Sequence, residues 1–453
     1  MKSFARICFF ILSVILTACN GTRLDKVFKP ASPYEQYVRD ISTSVLKESA
    51  MVRDWIQAGE RALSDSILVE LPYQELSYFD PKENNAMGLR FAVREGQQLE
   101  IKLNPVSQPD AKFFMDLYEI RDDGSLNRSA SADTGEMLQE RISRSGNYLL
   151  RVQPELMRGG VFELSMVYRA SLAFPIPGKT SRNVSSFYGD PRDGGGRRHE
   201  GIDVFAPKGT PVVAVMNGRV SRVGTNRLGG KTVSVTGGGY SYYYAHLDSQ
   251  LVQVGRSVRE GDTLGLVGNT GNAISTAPHL HFGIYSMGRG SVDPLFFFRN
   301  AGPLAASDLS DSLSIGLVGR IKGNTANIRV SPTTNSLVLT QMPRQSVLKI
   351  EGKFGNWYRV RLPHQQSGYI SAPLVELAEN SLGTVMIQQD DFFKKDWNQP
   401  IYNQELESGE AELLGKFETF NLIRTAKGRM LWHQHKETVQ TDLTEPTYLE
   451  SSK

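Results

Sequence analysis

The sequence predicts a mainly β, multidomain protein, and three observations carry that reading. At 453 residues the chain is longer than one hydrophobic core accommodates and should divide into about three or four domains. Over much of its length apolar residues recur with period two, the mark of half-buried strands. Turn-forming clusters such as Asp122-Asp123-Gly124, Gly146-Asn147, Gly237-Gly238-Gly239 and Gly268-Asn269 punctuate these runs. Charge is balanced, with 51 basic against 48 acidic residues and a net charge of +3, which leaves none of the basic excess that nucleic-acid binding needs.

The N-terminus reads as an export signal over residues 1–18. Lys2 and Arg6 precede an apolar run from Ile7 to Leu16, too short to span a bilayer. The run ends in Leu16-Thr17-Ala18-Cys19, which resembles a bacterial lipobox and implies lipidation of Cys19. The only other cysteine, Cys8, lies inside the signal, so the mature chain has no disulfide available and depends on its cores. No later segment is apolar enough to span a membrane. The expected location is the cell envelope, with the protein anchored by lipid to the outer membrane and facing the periplasm.

Residues 19–65 read as a polar tether and a helical segment. Ser32-Pro33-Tyr34-Glu35 fits a capping box with proline at the first helical position, and Tyr34, Tyr37, Val38, Ile41 and Val45 follow at helical spacing. A second helical stretch around residues 51–63 is expected to pack on the first. Over 66–172 the period changes to two, in Leu89, Phe91 and Val93, in Leu99, Ile101 and Leu103, in Tyr148, Leu150 and Val152, and in Phe162, Leu164, Met166 and Tyr168. This predicts a β-sandwich. It resembles the prepeptidase-type sandwich found beside bacterial secreted peptidases.

Pro175-Ile176-Pro177-Gly178 opens a further β domain, residues 175–300. Within it Val212 to Val215 and Arg219 to Val223 flank Asn217-Gly218, the composition of a tight hairpin. Residues 314–379 contain Asn327-Ile328-Arg329-Val330-Ser331-Pro332, Gly355-Asn356-Trp357-Tyr358-Arg359-Val360 and Gly368-Tyr369-Ile370, which resemble a bacterial SH3-like β-barrel. Such a module either binds peptidoglycan or spaces its neighbours. Residues 380–453 show no pattern that names a domain.

Four of the seven histidines fall in the 175–300 domain, as His199-Glu-Gly-Ile-Asp203, Tyr244-Ala-His246-Leu, and His279-Leu-His281-Phe. Histidine is scarce in the chain, so this clustering points to a metal. A catalytic zinc site takes three protein ligands and one open position, which His199, Asp203 and one of His279 and His281 can supply. In a strand, His279 and His281 share a face while Leu280 points to the core. Gly201, Ile202, Val204 and Pro207 argue against a helix from His199 to Asp203, and a loop entering a strand is the better placement. The helix-borne His-Glu-x-x-His pattern of many zinc proteases is absent. Tyr242 and Tyr244, four and two residues before His246, are expected on its strand face as a wall for a peptide.

Residues 187–294 resemble the lysostaphin-type zinc metallopeptidases, a family of peptidoglycan endopeptidases. The matching text is His199-x-x-x-Asp203, Gly209-Thr210-Pro211-Val212, Tyr244-Ala245-His246-Leu247, Gly268-Asn269-Thr270-Gly271, His279-Leu280-His281-Phe282 and Val292-Asp293-Pro294. The resemblance implies an all-β domain of the duplicated hybrid motif type. It also implies one Zn²⁺ on His199, Asp203 and His281, with His246 and His279 as catalytic neighbours and peptidoglycan as substrate. Gly271 to Pro278 departs from the family's Gly-x-Ser-Thr-Gly-Pro form, so no cleaved bond is transferred. The lipoprotein signal favours D-alanyl to diaminopimelate cross-links over glycine bridges. The competing functions are a non-catalytic peptidoglycan-binding lipoprotein and an amidase activator. Outside this cluster, His364 reads as a surface residue, and His433-Gln434-His435 as non-metal because no acid accompanies it in sequence.

Overall fold

The computed structural model describes residues 30–304, 313–388, 391–395, 397 and 408–435. The expected export signal, the lipobox-like run and Cys19 lie outside these residues, in which no helix is long and apolar enough to cross a membrane. The fold is mainly β.

Two helices, Pro33–Thr43 and Ala50–Ser64, open the described chain. Ser32 caps the first reciprocally with Glu35, and Ser49 caps the second through the Val52 N–H. Their apolar stripes converge on a sheet: Tyr34, Ile41, Val52 and Trp55 bury Phe114, and the Trp55 indole donates to the Pro154 carbonyl (2.9 Å).

The sandwich follows. One sheet orders Ser66–Leu68, Met87–Val93, Gly146–Pro154, Phe113–Ile120 and Leu126–Asp133, and the facing strands are Tyr73–Phe79, Gly160–Ala170, Gln97–Pro105 and Leu138–Arg141. Leu89, Phe91, Leu99, Ile101, Leu150, Val152, Phe162 and Leu164 interleave between the sheets, and the period-two pattern arises because each strand has one face in this core.

In the next domain six strands form an antiparallel path, Ile202–Phe205, His279–Ser286, Tyr240–Gln250, Gly230–Gly237, Gly218–Asn226 and Ser257–Val258. Pro211–Val213 joins through Thr263–Val267, which pairs with Tyr240–Gln250. The expected hairpin at Asn217-Gly218 does not form. Pro211–Val213 pairs with Thr263–Val267, whereas Gly218–Asn226 pairs with Gly230–Gly237. The Asn217 side chain instead caps the Glu260 N–H (2.9 Å), and Ala214 and Val215 continue into the core. The tight hairpin is at Gly238-Gly239, where both residues have positive φ (55° and 85°), as a type I′ turn demands.

The domains share structure. Gly96 accommodates the Phe297 ring, which a Cβ there would meet at 2.2 Å, and the Arg289 guanidinium spans both Glu95 carboxylate oxygens. On the far side, Tyr73–Phe79 pairs with Val347–Phe354, so sandwich and SH3-like strands form one continuous sheet. Buried charges tie this seam. Arg359 Nε donates to Glu75 Oε1 (2.7 Å) and its Nη1 to Glu351 Oε2 (2.9 Å), beside Tyr73 and Tyr369 hydroxyls 2.8 Å apart. Residues 383–434 contribute a five-stranded antiparallel sheet whose Leu414, Phe417, Phe420 and Trp432 complete the core of the SH3-like strands.

Candidate active site

The site forms where three strands meet side by side. Asp203 of Ile202–Phe205 pairs directly with His281 of His279–Ser286, which in turn pairs with Ala245 of Tyr240–Gln250. Opposed residues share a face, so Asp203 and His281 point the same way, and His279 lies two residues further along that face. His199 arrives from the loop before the strand, with its N–H on the Asp190 carbonyl (2.8 Å).

Three donor atoms form a near-equilateral triangle. His199 Nε2 lies 3.0 Å from Asp203 Oδ1 and 2.9 Å from His281 Nδ1, and His281 Nδ1 lies 3.0 Å from Asp203 Oδ1. Ligands at tetrahedral zinc distances of about 2.0–2.1 Å stand about 3.3 Å apart, so this donor set fits a metal ion with little movement. The surroundings fix it. The Phe187 carbonyl accepts from His199 Nδ1 (2.8 Å), which leaves Nε2 unprotonated toward the site. Arg192 donates to Asp203 Oδ2 (2.6 Å) and to Ser186 Oγ (2.7 Å), so Oδ1 remains the carboxylate oxygen facing both imidazoles. Burial alone would raise the Asp203 pKa, but hydrogen bonds and charge from His199 and His281 outweigh it and hold the carboxyl well below its ordinary range.

His246 reaches the cleft by a local irregularity. Strict alternation along Tyr240–Gln250 would point it into the core with Tyr240, Tyr242 and Tyr244. Between Tyr244 and Leu247, however, the register against Lys231 and Val233 slips by one residue, and His246 takes φ +60°. This β-bulge turns His246 to the cleft and inverts the alternation beyond it, so that Leu247 enters the core in its place. The His246 ring then stands 4.9 Å from that of His279 and 5.8 Å from that of His281, centroid to centroid. Carbonyls of Thr270 and Ala277 accept from Nδ1 of His246 (2.8 Å) and of His279 (2.9 Å), so each keeps a bare Nε2. Burial, with smaller contributions from its histidine neighbours, pushes His246 down to about 4, so it is neutral near pH 7.

The tyrosine wall is a correction. Tyr242 and Tyr244 are fully buried in the core, and the Tyr244 hydroxyl accepts from the Val215 N–H (3.1 Å). The bulge puts them on the face opposite His246. Tyr243, one residue away, lines the cleft instead, together with Tyr285. The cleft has a volume of about 770 Å³, and among the described residues its lining runs from Ser185 to Tyr285, with none from the helices, the sandwich or the SH3-like strands. Arg192, Arg197 and Arg198 on its rim were missed from sequence, because a short hairpin between residues 191 and 198 brings them over the site.

His364 is exposed and stacks on Phe417. His433 and His435 do have an acid in reach: Asp391, distant in sequence, gathers with them.

Residues 197–294 match the model of "Peptidase family M23", and residues 324–376 match "Bacterial SH3 domain". The L-Ala--D-Glu endopeptidase of Bacillus subtilis is 39% identical over 122 residues, 25% of this chain and 37% of that protein. Lysostaphin of Staphylococcus simulans is 37% identical over 113 residues, 24% of this chain and 22% of that protein. The peptidoglycan DD-endopeptidase ShyC of Vibrio cholerae is 38% identical over 87 residues, 19% of this chain and 20% of that protein. The chain thus matches well under half the length of each relative. It carries a domain of peptidase family M23, followed by a bacterial SH3 domain.

Proposed function

We propose that the 175–300 domain is a zinc endopeptidase that hydrolyses peptide cross-links of peptidoglycan during cell-wall remodelling. The observation that carries this is the 3 Å triangle of His199 Nε2, Asp203 Oδ1 and His281 Nδ1, with two further histidines beside it. Zinc held there would polarise the scissile carbonyl and acidify a water molecule. The chain's own groups do the rest. His246 and His279 each present an Nε2 lone pair, so one accepts the proton of the attacking water, and the imidazolium formed offers an N–H to the developing oxyanion. Arg192 holds the Asp203 carboxylate in one orientation throughout.

The relatives' names support a wall-peptide substrate, and they differ in the bond they specify. Among the described residues none from the upstream domains lines the cleft, which favours an active enzyme over an occluded one. The complete donor set likewise favours an enzyme over an amidase activator or a wall-binding lipoprotein. In this reading Cys19 carries the lipid and the enzyme works at the cell envelope, outer membrane side, on peptidoglycan.

Digestion of intact sacculi with the zinc-loaded chain, followed by mass analysis of the soluble products, tests the proposal. Fragments with new peptide termini, absent with His199→Ala, are expected. Zinc-loaded protein that binds sacculi and releases nothing would overturn it in favour of the binding reading.

A further inference from the structure

The C-terminal sheet holds a second group of ligand-type side chains that the peptidase chemistry does not use. Its strands order as Gly383–Ile387, Gly409–Phe417, Phe420–Arg424, Met430–Gln434 and Phe392–Lys394. The last is an edge strand of three residues, held to its neighbour by the pairs Phe392 with Gln434, Phe393 with His433 and Lys394 with Trp432. Because opposed residues share a face and alternate residues repeat it, Asp391 and Phe393 lie on the face of His433 and His435. Both imidazoles and the carboxylate are therefore delivered to one end of the sheet.

We propose that Asp391, His433 and His435 form a second metal site, for a borderline divalent cation of the zinc type, that clamps this short edge strand to the sheet. One donor atom from each residue lies within 4.8 Å of the others. His433 Nε2 is 2.7 Å from Asp391 Oδ2, His435 Nδ1 is 3.2 Å from Asp391 Oδ1, and the two rings stand 4.6 Å apart. Two imidazoles and one carboxylate are a donor set that suits zinc and related ions.

The arrangement is built and costly. Asp391 and His433 are essentially inaccessible to solvent, and the Gln388 N–H donates to Asp391 Oδ2 (2.8 Å), orienting the carboxylate from behind. His433 Nδ1 is buried with no hydrogen-bond partner among the described residues. The nitrogen that faces Asp391 is Nε2, so the ion would take Nε2, and what marks the site is the fully buried pairing of that nitrogen with a carboxylate. His435 is partly exposed, its side chain 38% accessible, so the cluster has one side open to solvent and a route for the ion.

The test uses the full chain with zinc as the probe, in a His281→Ala background that removes a ligand of the peptidase site. Metal analysis after equilibration with zinc should find one equivalent retained in His281→Ala, and none in His281→Ala combined with His435→Gln or with Asp391→Asn. Zinc should also raise the melting temperature of the single variant and leave that of the combined variants unchanged. His435→Gln, at the exposed ligand, keeps the core intact, and a wild-type circular dichroism spectrum verifies folding. A metal-free His281→Ala protein at saturating zinc would overturn the proposal, as would unchanged zinc in both combined variants. Because activity is not the readout, failure of the peptidase reading leaves this outcome unaffected.

Discussion

The bulge that carries His246 rests on Gly268, and adding one methyl group there displaces it. A Cβ on Gly268 would lie 2.4 Å from the Asp248 amide nitrogen, 2.8 Å from its Cα and 2.8 Å from the His246 carbonyl oxygen. All three are backbone atoms, so no side-chain rotation relieves them. Ordinary contact begins at 3.4 Å, so the strand must retreat by about 1 Å, and His246 moves with it. A displacement of that size at a reacting group costs about 10²-fold in rate, or roughly 2.7 kcal/mol of barrier. The Cβ points at the His246 strand and not at the triangle, whose Asp203 and His199 lie on elements that Gly268 does not touch, although Gly268 also bridges His279 and so nudges that second cleft histidine. Gly268→Ala is therefore expected to lower kcat on a cross-linked muropeptide by about 10²-fold with zinc content unchanged, read by chromatography of products and by metal analysis. Wild-type kcat in a folded Gly268→Ala protein would refute the reasoning, because His246 would then not need the position the bulge gives it.

Three further outcomes are expected. Arg359→Met leaves Glu75 buried at the seam without a cation and Glu351 with Arg361 alone, and the unfolding midpoint should fall with a cost of about 3–5 kcal/mol; an unchanged midpoint would contradict a charged seam. Tyr242→Ala removes a fully buried ring, so it should destabilise by about 3 kcal/mol or more without raising KM, whereas Tyr243→Ala, on the cleft wall, should raise KM; the reverse assignment in steady-state kinetics and thermal melts would restore the earlier face. In the metal-free chain the histidine NMR resonance lost in His246→Gln should titrate near 4, since burial disfavours the cation and the neutral form persists above that pH; a midpoint at the ordinary value of about 6.5 would contradict its burial.

The pairing of His279 with His281, and the loop-then-strand placement of His199 and Asp203, were legible because alternation fixes which side chains share a face. The same rule misplaced Tyr242 and Tyr244. A bulge of one residue inverts facing from that point on, and nothing in Tyr244-Ala245-His246 announces a positive φ. The Asn217-Gly218 hairpin failed for a related reason: local turn composition does not say which strands pair over long distances. Asp391 escaped notice beside His433 because only the pairing of an edge strand with Met430–Gln434 brings it there. The continuous sheet joining Tyr73–Phe79 to Val347–Phe354 was equally illegible, since each segment alone reads as an ordinary strand. Capping at Ser32, by contrast, depends on residues three apart and was readable directly.

The most direct measurement is hydrolysis of a purified cross-linked muropeptide dimer by zinc-reconstituted chain and by His281→Ala treated identically, with products weighed by mass spectrometry. The account predicts one peptide bond opened by the addition of one water, abolished in the variant and by chelation. An intact dimer with the zinc-loaded protein, or equal cleavage by the variant, would contradict it.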